Sequence, residues 1–159
     1  MRYFLILIIV LVGCGKRDSD HSFRFSLTTD GAKVREVDAT LEPFVGSFED
    51  EWRQKIAFKV AFGNLDTGSA GHCLEWTNND KLVEIDRVYF QTLNKDQQEA
   101  LVWHELGHCA LGLDHDEKLV IFPDIAGAWP NSVMKSVVFS VLEAQVFVLK
   151  KSHYIKTLF

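Results

Sequence analysis

At 159 residues, 47% hydrophobic and 25% charged, the sequence suits one globular domain and excludes a wholly disordered chain. A formal net charge of −5, with the basic residues nowhere clustered, excludes the electrostatic footprint of a nucleic-acid-binding surface. No internal repeat, low-complexity tract or heptad pattern interrupts it.

The chain opens with Met1-Arg2 and an unbroken apolar run from Tyr3 to Val12. That run is shorter than the about 20 residues a membrane span needs, and it has the length of a signal-peptide core. It ends in Leu11-Val12-Gly13-Cys14, which resembles a bacterial lipobox. On this reading residues 1–13 are a lipoprotein signal peptide, Cys14 is the lipidated mature N-terminus, residues 14–22 are a polar tether and residues 23–159 fold. The expected location is the bacterial cell envelope, on its periplasmic or extracellular face, with membrane contact through the lipid alone. An ordinary signal peptide, or a membrane anchor with a chance cysteine, is the alternative. Export to an oxidising compartment leaves Cys73 and Cys109 as an even pair, which points to a disulfide; two buried thiols are the other possibility.

Within the folded part, Phe23, Phe25 and Leu27 alternate with polar residues as in a strand, and Thr29-Asp30-Gly31 reads as a turn. Pro43 opens a helix with Phe44, Phe48 and Trp52 on one stripe. Ile56 to Phe62 alternates as a strand with one buried face, and Gly63 to Gly71 has loop composition. Cys73–Trp76 and Leu82–Phe90 read as two more strands around a Thr77-Asn78-Asn79-Asp80 turn. Asn94, with Gln97 three residues on, forms a capping box for a helix over Lys95–Leu111, which Gly112 ends as a left-handed cap. A loop with Pro123, Gly127 and Pro130 leads to a last helix from about Ser140. Phe48, Trp52 and Trp103 are expected in the core, His21 and His153 at the surface, and His72 at a loop end. The order is that of an α+β domain, a small mixed sheet packed on the long helix with a C-terminal helix.

The long helix contains His104-Glu105-Leu106-Gly107-His108. Residues four apart share a helix face, so both imidazoles can reach one metal ion with Glu105 beside them. A catalytic zinc needs three protein ligands and an open position, where a water becomes acidic enough for a carboxylate to deprotonate it. Downstream stand Gly112, His115 and, after Pro130-Asn131-Ser132-Val133, Met134. Together these resemble the metzincin metallopeptidases, with their HExxHxxGxxH pattern and Met-turn, and the local text HELGH…LGLDH is most similar to the matrixin branch.

The resemblance covers about residues 80 to 135. It implies a zincin domain over residues 23–159, with Zn2+ held by His104, His108 and His115, Glu105 as general base, Gly112 as the turn and Met134 as the Met-turn residue. It also implies a peptide or protein substrate aligned by an edge strand, placed at Leu82–Phe90, and a monomer. One residue more than the family pattern separates His108 from Gly112, which rotates the helix exit by about 100° unless a wider, π-type last turn absorbs it. The strict family position of the third ligand then falls on Asp114, which stays open as an alternative to His115. The competing functional class is an envelope lipoprotein with a structural or vestigial zinc site, acting in binding or assembly.

Overall fold

The computed structural model describes residues 35–65, 68–77 and 79–159. The expected signal peptide, lipidation at Cys14, tether, Phe23–Leu27 strand, Thr29–Gly31 turn and His21 lie outside the described residues.

Among the described residues eleven elements follow one another: β1 (Glu36–Val37), α1 (Glu42–Trp52), β2 (Lys59–Gly63), β3 (Gly71–Glu75), β4 (Lys81–Asp86), α2 (Arg87–Thr92), α3 (Lys95–Leu111), β5 (Leu119–Val120), β6 (Trp129–Pro130), α4 (Val141–Leu149) and α5 (Lys151–Leu158). β1 to β4 form one sheet in the order β1-β2-β4-β3, in which β1, β2 and β4 run parallel and β3 pairs antiparallel to β4. β5 and β6 make a separate two-stranded ribbon. The fold class is α+β, as the element order implies.

β4 differs from its expected form in two ways. It stops at Asp86 instead of running to Phe90, because the Asp86 side chain accepts a 2.6 Å hydrogen bond from the Tyr89 amide and so caps α2. It is also interior, with Leu82, Val83 and Ile85 all buried, as suits a strand flanked on both sides. The strand at the sheet edge nearest α3 is β3. β1 and the β5–β6 ribbon, two residues per strand, are too short to leave a periodic signal.

α3 is the organising helix. Its capping box is complete: the Asn94 side chain takes the Gln97 amide and the Gln97 side chain takes the Asn94 amide. Trp103 at its centre is fully buried between Phe48 of α1 and Phe147 of α4, edge-on to each at 5.6 Å. Such aromatic pairs add about 0.5–1.5 kcal/mol each beyond their buried area. Ile85 and Leu106 join α3 to the sheet in the same core. The C-terminal helix is two helices instead of one. It breaks at Lys150, whose backbone leaves the helical region and whose ammonium bonds Asp124 and lies over the Phe122 ring. His153 on α5 is half-buried, only partly open to solvent, and its ring is held by the Asn131 carbonyl and packed against Phe122. His72 lies within β3, paired with Glu84 across the strands. No helix among the described residues is long and apolar enough to cross a membrane.

Candidate metal centre

His104 and His108 project from one face of α3, and the chain after Gly112 returns His115 to the same point. The Nε2 atoms of His108 and His104 are 3.0 Å apart, and those of His108 and His115 are 3.2 Å apart. Tetrahedral nitrogen ligands at about 2.0–2.1 Å from zinc stand about 3.3 Å from one another, so this spacing fits one shared ion. Asp114 is exposed and outside the group; His115 is the residue brought to it.

Hydrogen bonds on the far side of the rings assign the tautomers. His104 Nδ1 is 2.9 Å from the Val133 carbonyl and His108 Nδ1 is 2.6 Å from the Leu113 carbonyl. A carbonyl only accepts, so each Nδ1 carries the proton and each Nε2 presents a lone pair. Two such lone pairs facing across 3.0 Å repel unless a cation lies between them, which is what a metal site provides. Burial, then the neighbouring His108, pushes the His104 pKa down to about 3, so the ring stays neutral and ready to ligate.

The extra residue before Gly112 is absorbed locally. α3 stays α-helical to Leu111, and Gly112 takes φ 67°, ψ 25°, the left-handed cap that favours glycine. Its N–H reaches the carbonyls of both His108 and Gly107, and the Leu113 N–H reaches Gly107 at 3.1 Å. The expected π-type widening is thus confined to a bifurcated last bond. This loosened exit turns the Leu113 carbonyl onto His108 and carries His115 back over the helix.

Met134 is buried, its sulfur packed directly against Gly107 on the underside of the same helical turn. Its carbonyl accepts from the Asp116 amide at 2.8 Å, joining the Met134 segment to the loop that bears His115. Glu117 adds a second tie by accepting from the Ser136 amide. From below, the buried Tyr154 hydroxyl donates to the Pro130 carbonyl at 2.8 Å, and burial raises that phenol to about 12. Sequence reasoning missed these supports. Backbone carbonyls such as those of Leu113 and Val133 have no side-chain signature, and Tyr154 lies too far along the chain from Met134 to be linked by spacing.

Glu105 is fully buried on the flank of α3 that meets β3. Cys73 of β3 and Cys109 of α3 form a disulfide, as their pairing in the sequence suggested. Edge strand and metal helix are therefore covalently joined beside the ligands.

The arrangement can hold a metal ion on three imidazoles, with a carboxylate one residue from the first. No curated protein and no solved structure matches the chain significantly. A family model described as "Putative phage metallopeptidase" matches residues 18–129, which takes in the three histidines and Glu105 but ends before Met134 and the C-terminal helices. With most of its length inside that match and a three-histidine group where a metallopeptidase needs its ion, the chain belongs to this phage metallopeptidase family.

Proposed function

We propose that this metallopeptidase is a zinc-dependent endopeptidase of the metzincin type. The observation that carries the proposal is the convergence of one ring nitrogen each from His104, His108 and His115 within 4.8 Å of one another, beside a helix that also carries Glu105. Three imidazole ligands suit zinc among the common divalent ions, and they leave one tetrahedral position open. Zinc, when bound, would polarise the scissile carbonyl and acidify a water.

The remaining work belongs to this chain. Glu105, one residue from a ligand, takes the proton of the attacking water and returns it to the leaving amine. The Val133 and Leu113 carbonyls keep His104 and His108 in the ligating tautomer. β3, the edge strand beside α3, offers its main chain to an extended peptide. Met134 floors the site. The substrate class is peptide or protein, and the working unit is a monomer held at the envelope by lipid on Cys14. Labelling with a radioactive fatty acid, lost on Cys14→Ser, tests the anchor.

The activity is tested by digesting a broad peptide library with purified protein, with and without chelator, alongside metal analysis. Cleavage that stops with chelator and returns with zinc is expected. A preparation that holds no metal and cleaves nothing would overturn the proposal.

A further inference from the structure

β3 and α3 touch at two places with matching repeats. Residues two apart on a strand share a face and lie about 6.7 Å apart, and residues four apart on a helix share a face and lie about 6 Å apart. Gly71 and Cys73 are such a pair on β3, and Glu105 and Cys109 are such a pair on α3. Cys73 is bonded to Cys109. Gly71 lies against Glu105: a Cβ added at Gly71 would stand 2.8 Å from Glu105 Cγ, 2.8 Å from Oε1 and 3.0 Å from Cδ. The two 2.8 Å distances are shorter than real Cβ contacts, and what they meet is a fully buried side chain in a close-packed interior.

From this geometry we infer that Gly71 is a positioning residue for the peptidase reaction: the bare strand backbone forms the wall that fixes the Glu105 carboxylate, and the Cys73–Cys109 bridge holds that wall in place. The inference rests on the peptidase reading for its catalytic consequence, while the contact itself does not. Any side chain at position 71 would push the carboxylate out of line, and a misplacement of about 1 Å at a reacting group costs about 100-fold in rate. The ligands, on the adjoining face of α3, would be untouched.

The test is a cycle of Gly71→Ala, Glu105→Ala and the double variant in the full chain. Gly71→Ala is expected to bind zinc stoichiometrically, to keep KM within about threefold and to lose about 10- to 100-fold in kcat. Its fall in melting temperature should vanish in the Glu105→Ala background, because the clashing side chain is gone. Full activity in Gly71→Ala, or a loss that follows metal content or KM, would overturn the inference. If Gly71→Ala does not fold, a folded double variant supports the contact, and an unfolded one overturns it. Absence of hydrolysis by the unmodified protein would remove the peptidase reading alone, since the melting cycle needs no turnover.

Discussion

The two sides of the metal centre are built by opposite means. α3 supplies His104, Glu105 and His108 from one regular helix, all buried, with positions set by the helical repeat. The segment from Leu113 to Phe139 supplies His115, which is exposed, and the carbonyls of Leu113 and Val133, yet its regular structure is only the β5–β6 ribbon. Its shape comes from single bonds: Asp116 to Met134, Lys118 to Asn131, Glu117 to Ser136 and Tyr154 to Pro130. A helix fixes ligands by local geometry, whereas a loop does so only through contacts to the rest of the fold. The helical half should therefore hold its geometry without metal, and the looped half should depend on it.

The most severe test on the helical side is Glu105→Gln. It should leave zinc content intact and lower turnover by about 1,000-fold, within the range of a lost general base. Unchanged hydrolysis would remove Glu105 from the reaction. Next comes the staple. Cys73 and Cys109 are 36 residues apart, a loop for which a bridge contributes about 4 kcal/mol. Cys73→Ser with Cys109→Ser should lower stability by about 2–4 kcal/mol in denaturant titration.

On the looped side, His115→Ala should weaken zinc binding more than the about 10–100-fold typical of outer supports, while Asp114→Ala should leave it unchanged. The reverse result would exchange the two residues' roles. A smaller effect should appear with pH in the metal-free protein. Folded His104 stays neutral down to about pH 3, but in the unfolded chain it protonates near 6.5. The unfolded state therefore takes up the extra proton, and stability should fall as pH drops from 6.5 toward 3. Glu49 adds to this at the acid end: burial raises its carboxyl, but Arg35 and Lys55 outweigh that and hold it below its ordinary value. Melting curves between about pH 7 and pH 4 would check the trend, and zinc should steepen it, because metal-bound imidazoles stay unprotonated in the fold and take up protons on unfolding.

The same contrast governs what could be read from the sequence. The capping box at Asn94, the His104–His108 spacing and the cap at Gly112 are local regularities, and the structure places them as their spacing implies. His115 is legible because a glycine three residues earlier lets the chain turn. The edge strand was misplaced onto β4, because alternation marks a strand but not its neighbours; sheet order is set by long-range pairing. Asp86 was a readable cap that lost to an apolar run continuing through Val88 and Phe90. The contact of Gly71 with Glu105 had no local sign, since it joins a loop-like stretch to a helix far along the chain.

The Cys73–Cys109 bond lies outside the set of candidate metal ligands, and this has a bearing on the life of the protein without a bound metal. In the smallest zinc domains the fold exists only while the ion is bound, so stripping the ion is denaturation. Here strand and helix remain riveted whichever state the histidines are in. On the proposed zinc peptidase reading, the stripped protein is expected to be a dormant form that can be recharged, so that scarcity of the ion would silence the molecule without destroying it.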